Sequence, residues 1–270
     1  VPTRLEPRAR PPLETTTAPA AVDLNAVVKA YAATRGDAAV TALDGLDLRA
    51  QRDEVLAVVG PSGCGKTTLL ELICGLQRPD RGTVRCDPAA LMPQRDLLLP
   101  WLSALDNAAV ARRLAGRSRG QARGDTAPRF AQLGLAGFEE ARPHELSGGM
   151  RQRVAFLRTL MSGKPVLCLD EPFGALDAIT RVQMQGWLDR ALADDPRTVV
   201  LVTHDVEEAV LLADRVVVLS PRPGRVVTEF AVDLQRPRSR THAGVVALRE
   251  RALEALGLGL GLGSPPEGRQ

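Results

Sequence analysis

Residues 60–68 read Gly60-Pro61-Ser62-Gly63-Cys64-Gly65-Lys66-Thr67-Thr68, a spacing that can cradle phosphate groups. Gly60, Gly63 and Gly65 let the backbone curl so that its N–H groups converge on an anion. Lys66 supplies a compact positive charge for the β- and γ-phosphates, and Thr67 offers a hydroxyl to Mg²⁺. The apolar, β-branched run Val55-Leu56-Ala57-Val58-Val59 before the loop suits a buried strand, and Leu69-Leu70-Glu71-Leu72-Ile73 after it suits a helix. A glycine-rich turn without a ligand is the plain alternative. Against it, the chain uses arginine almost everywhere and places one of its three lysines here, where an arginine fork would be too broad.

A second group of residues could complete the chemistry. Val166-Leu167-Cys168-Leu169 reads as a buried strand that delivers Asp170 and Glu171 at its carboxyl end. Open α/β sheets bind ligands at that end, so Asp170 could hold Mg²⁺ and Glu171 could polarise a water toward a γ-phosphate. A third group, Leu146-Ser147-Gly148-Gly149-Met150-Arg151-Gln152-Arg153, opens a helix with Ser147 as its N-cap. Its two glycines would let backbone amides approach an anion closely.

Taken together, these three motifs resemble those of the ATP-binding-cassette (ABC) ATPases, with residues 146–153 as the family's signature sequence. The resemblance implies transport-coupled ATP hydrolysis with ATP and Mg²⁺. It also implies a head-to-tail dimer in which Ser147, Gly148 and Gly149 of one copy close over ATP held by the phosphate loop of another. Gln94 resembles the Q-loop glutamine that reaches the metal or the attacking water, and His204 the switch histidine at the γ-phosphate. Asp177 resembles the D-loop aspartate of the dimer interface. Tyr31, the only tyrosine, stands where the family carries an aromatic that stacks on adenine. Simple packing of an edge-strand tyrosine is the rival explanation. His144 and His242 sit in polar surroundings and receive no chemical role.

The resemblance spans about residues 22–235 and extends to a subfamily. Leu97-Leu98-Leu99-Pro100-Trp101, Met150, Asp205-Val206-Glu207-Glu208-Ala209 and Pro221-Arg222-Pro223-Gly224-Arg225 are similar to the nitrate, sulfonate and taurine type of bacterial importer. Importers of thiamine-precursor pyrimidines are similar there too. This implies transmembrane permease subunits as partners, with Trp101 facing them, and a solute-binding protein as an indirect partner. The implied location is the cytoplasmic face of the inner or plasma membrane, reached through the permease. A soluble ABC-type regulatory ATPase is the alternative, although neither a second cassette nor a long coiled coil is present.

Four apolar runs separated by helix-like segments point to an α/β fold with a mainly parallel sheet, and the resemblance implies a P-loop NTPase (RecA-like) core with an antiparallel edge subdomain and a helical signature subdomain. Val55–Val59, Val166–Leu169, Val199–Val202 and Val216–Leu219 read as its central strands. Residues 95–162 lack a strand-like run and read as a helical insert, within a single domain over residues 22–255. Residues 1–21 are rich in Pro, Arg, Thr and Ala and read as a disordered tail, and residues 256–270 as a low-complexity tail. Only eleven residues, Thr83 to Pro93, separate Gly82 from Gln94, fewer than the family uses for its edge hairpin.

Composition bounds the rest. The net charge of +3 does not call for nucleic acid. Cys64, Cys74, Cys86 and Cys168 lack Cys-x-x-Cys spacing and read as buried small hydrophobes in a reducing compartment. No apolar run approaches the roughly 18–20 residues of a membrane span, and the first residues lack a signal-peptide pattern. A cytosolic soluble chain is expected, any membrane role coming through a partner.

Overall fold

The structure is a computed structural model that describes residues 20–32 and 39–258. In chain order the elements are β1 (Ala20–Tyr31), β2 (Val40–Gln51), β3 (Val55–Val59), α1 (Lys66–Ile73), β4 (Arg81–Cys86), β5 (Ala89–Met92), α2 (Ala104–Leu114) and α3 (Arg119–Gln132). There follow α4 (Gly148–Leu160), β6 (Val166–Asp170), α5 (Ala178–Asp194), β7 (Thr198–Thr203), α6 (Val206–Leu212), β8 (Arg215–Leu219), β9 (Val226–Ala231) and α7 (Ala243–Ala255). A short 3₁₀ turn at Pro143–Glu145 precedes α4.

Two sheets organise the molecule. The larger has strand order β5-β6-β7-β3-β8-β9, parallel except for the antiparallel β8–β9 pair. The smaller is antiparallel, in order β2-β1-β4. All four expected central strands lie side by side in the larger sheet, and each is apolar throughout because both of its faces are covered. Val55, Ala57 and Val59 of β3 point into a core shared with the helices, where Phe156 of α4 meets Phe173 and Trp187. Leu56 and Val58 point the other way, into a second core filled by Leu69, Leu70, Leu72 and Ile73 of α1. That second core reaches the antiparallel sheet through Val22, Leu24 and Val27 of β1 and Leu46 and Leu48 of β2. The phosphate-loop helix is thereby sandwiched between the sheets.

Residues 95–162 contribute α2, α3 and α4. Ser103, Ser118 and Ser147 cap their N-termini by accepting from the backbone N–H three residues on. Asp106 on α2, with a side chain 3% exposed, receives Arg119 at 2.6 Å and Arg123 at 3.2 Å from α3. The Arg119 hydrogen bonds hold this carboxyl below the usual aspartate range.

The short stretch Thr83–Pro93, whose shape the spacing left open, makes no hairpin: β4 joins the antiparallel sheet beside β1, and β5 crosses to pair in parallel with β6. Asp87 and Pro88 form the crossing, and Val166 N–H donates to the Pro88 carbonyl. Strand β1 begins at Ala20, two residues inside the expected tail, because Ala20 and Val22 pair with Gln51 and Ala50. Residues 1–19 and 259–270, the remainder of both expected tails, lie outside the described residues. Finally, Cys64 and Cys168 are buried as expected, but Cys74 and Cys86 are only partly so.

Candidate active site

Strands β3 and β6 end at the same edge of the sheet, which brings the phosphate loop and the acidic pair together. Between them opens a cavity of about 390 Å³, lined by Tyr31, Ser62, Gly63, Gly65, Lys66, Thr67, Thr68, Gln94, Asp170, Glu171 and Arg222, with Val40 and Ala42 at its side. The loop geometry depends on Gly65, whose φ of +103° suits glycine. A Cβ there would sit 2.7 Å from both the Ala42 carbonyl and Leu43 Cδ2.

Lys66 is 8% exposed, and its ammonium donates to the carbonyls of Gly60 (2.7 Å) and Pro61 (3.1 Å). These carbonyls hold the charge over the loop, where phosphate oxygens could replace them. Thr67 Oγ1 donates to Asp170 Oδ2 at 2.8 Å. Burial pushes the Asp170 carboxyl up, and the Thr67 hydrogen bond pulls it back. A hydroxyl, a desolvated carboxylate and the Gln94 amide nearby form a hard-oxygen donor set that fits Mg²⁺ better than a softer metal. Burial also raises the Cys64 thiol, whose sulfur lies 4.0 Å from the lysine nitrogen.

Glu171 joins two other polar side chains at the cavity. Its Oε2 accepts from Gln94 Nε2 at 3.0 Å, and its Oε1 lies 3.1 Å from His204 Nδ1. A backbone φ of +47° turns the side chain out of the strand direction, and its N–H is anchored on the Val202 carbonyl at 2.8 Å. Such left-handed geometry in a non-glycine residue costs on the order of 1 kcal/mol, which the strand anchor offsets. The segment just after Gln94 is tied to α4: Arg158 donates to the carbonyls of Asp96 and Leu97, and Arg151 pairs with Asp96 at 3.0 Å. The Tyr31 hydroxyl is 3.0 Å from Thr68 Oγ1 and accepts from Gln77, which sets its ring at the open end of the cavity.

Ser147, Gly148, Gly149 and Asp177 do not line this cavity. Ser147 and Asp177 spend their side chains as N-caps of α4 and α5. Trp101 and Leu97, 68% and 60% exposed, are large apolar side chains on the surface of the insert. His242 caps α7 by accepting from Gly244 N–H, a role not expected from the sequence. Arg222 also went unrecognised as a cavity residue. Its only signal was an arginine between two prolines after an apolar strand.

A family profile described as "ABC transporter" matches residues 43–174. The aliphatic sulfonates import ATP-binding protein SsuB 1 of Rhodococcus jostii (strain RHA1) is 44% identical over 223 residues, covering 80% of this chain and 87% of that protein. The chain belongs to the ABC transporter ATPase family. The taurine import ATP-binding protein TauB of Chromobacterium violaceum is 47% identical over 232 residues, covering 78% of this ABC ATPase and 88% of that protein. Among solved structures, a dimeric ATP-binding cassette in a post-hydrolysis state, bound to ADP and Pi, superposes with a TM-score of 0.71. It is 28% identical and covers 79% of this chain and all of its own. The α/β architecture and the ATPase assignment expected from the motifs therefore hold. Among the described residues, no helix is long and apolar enough to cross a membrane.

Proposed function

We propose that this ABC ATPase is the energising subunit of a bacterial importer, working as a head-to-tail pair against transmembrane permease subunits. The observation that carries the reading is Glu171, held between Gln94 and His204 at the mouth of the phosphate-loop cavity. In this arrangement Lys66 and the α1 N-terminal amides offset charge on the phosphoryl oxygens. Glu171 accepts a proton from the attacking water, and His204 orients the γ-phosphate. Tyr31 stacks on the base. Thr67 and Asp170, with Gln94, would hold Mg²⁺, which when bound would supply neutralisation of phosphate charge.

The signature residues Ser147, Gly148 and Gly149, together with Asp177, act on the nucleotide of the second copy. Their placement away from the chain's own cavity supports this reading, as does the dimeric state of the similar solved cassette. Trp101 and Leu97 dock the permease, which holds the subunit at the cytoplasmic face of the membrane. A solute-binding protein delivers cargo, a small solute of the class that the similar importers are named for.

The test is Glu171→Gln. The variant is expected to bind MgATP, to lose turnover by at least about a hundredfold, and to sediment as a dimer in saturating MgATP while the wild type does not accumulate one. Normal turnover by the variant, or a strictly monomeric ATP-loaded form with and without permease, would overturn the reading.

A further inference from the structure

Strand β8 lies beside β3 in parallel, so the loop that leaves its carboxyl end, residues 220–225, arrives at the phosphate loop. Several contacts hold that loop in place. Ser220 Oγ donates to the Pro223 carbonyl at 2.8 Å and accepts from Arg225 N–H at 3.0 Å, closing the loop on itself. Gly224 N–H donates to the Ala42 carbonyl at 2.8 Å, and Arg225 pairs with Asp44 on β2. Gly224 also packs so tightly on Cys64 that a Cβ would fall on the Cys64 carbonyl oxygen. At the apex stands Arg222, exposed, with its Nε donating to the Gly63 carbonyl at 3.0 Å. Its Nη2 lies against Gly63, and the side chain forms part of the cavity wall.

We propose that Arg222 is a second cation for the nucleotide's polyphosphate, a binding residue contributed by the β8–β9 loop. The proposal rests on the reading that this cavity holds ATP. Without Arg222 the cavity lining carries one positive charge, Lys66, against two carboxylates, Asp170 and Glu171. An anionic polyphosphate entering that lining meets one protein cation, and Arg222 supplies the second. A guanidinium carries five N–H donors, of which the Gly63 carbonyl takes one. Among the described residues no carboxylate pairs with Arg222, so its planar fork remains available for phosphate oxygens. The anchored Nε and the pinned loop hold the guanidinium in place before nucleotide arrives, which lowers the entropy lost on binding.

Isothermal titration of the full chain with MgATP and MgADP tests this, using the wild type, Arg222→Gln and Arg222→Lys. Arg222→Gln should weaken MgATP about tenfold, equivalent to about 1.4 kcal/mol. Arg222→Lys should recover part of the loss, because it keeps the charge and forfeits the fork. The ratio of wild-type to Arg222→Gln affinity should shrink between 50 mM and 500 mM NaCl, since an exposed charge is screened. The nucleotide-free melting temperatures of all three should agree. Equal MgATP affinity in wild type and Arg222→Gln would overturn the proposal. So would a loss that is independent of salt and accompanied by a lower nucleotide-free melting temperature, which would make Arg222 a prop for Gly63. Failure of the wild type itself to bind MgATP would refute the ATP reading of the cavity instead.

Discussion

Glu208 lies in the first turn of α6, just beyond His204, and is 4% exposed. Among the described residues nothing donates to its Oε1. Burial, followed by the neighbouring Asp205 charge, pushes its carboxyl from an ordinary 4.5 to about 7, against the pull of Thr203, Arg181 and Gln185. A carboxyl raised in the fold makes the native state bind more protons than the unfolded chain over that interval. Stability therefore falls as pH rises from 4.5 toward 7, and the full penalty is present above the folded value. At pH 6 the folded side chain is mostly protonated, and at pH 8.5 it is ionised. Integrating the linkage relation between those two pH values gives a loss of about 1.4 kcal/mol from this one group.

Glu208→Gln keeps the shape and removes the titration, while every other titrating group is common to both proteins. Urea unfolding of the two proteins at pH 6 and pH 8.5 isolates the effect. The variant's stability relative to wild type should improve by about 1.4 kcal/mol between the two pH values, or about 3–5 °C in Tm. A relative stability that does not change with pH would refute the reasoning. It would mean that Glu208 is already ionised in the fold at pH 6, with Arg181 compensating the charge.

Other perturbations follow from the same geometry. Gly65→Ala should cost about 1–3 kcal/mol of stability, through its positive φ and the clash with the Ala42 carbonyl, and should abolish MgATP binding by titration. Asp106→Asn should destabilise the chain by about 1–3 kcal/mol in denaturant at pH 7. Because Arg119 and Arg123 depress this carboxyl, its contribution persists at neutral pH and fades only as pH falls through the lowered folded value. Trp101→Ala, at a largely exposed position, should leave Tm within about 2 °C and basal ATPase unchanged, while reducing co-purification with the permease.

The parts legible in the sequence are those encoded over short spans. A buried strand, a glycine-rich turn and a helix succeed one another within residues 55–73, so the phosphate loop can be read without knowing what surrounds it. The same holds for β6 with Asp170 and Glu171, and for the serine-capped start of α4. Placement across the sheet is a different matter, because it depends on which strands become neighbours. The eleven residues after Gly82 do not by themselves reveal their pairing, and β4 and β5 serve different sheets, beside β1 and β6. Arg222 shows the same limit at the site itself. It meets Gly63 across 159 residues of sequence, a contact created only when β8 pairs with β3. Nothing in the string Asp205, Glu207 and Glu208 distinguishes one carboxyl from another, and only the packing of α6 reveals that Glu208 is the buried one. The short motifs thus specify what chemistry is available, whereas the order of the parallel strands decides which distant charges reach it. Substitutions within a motif should act on turnover or nucleotide binding, one at Arg222 on nucleotide binding from outside any motif, and one at Glu208 on stability and its pH dependence.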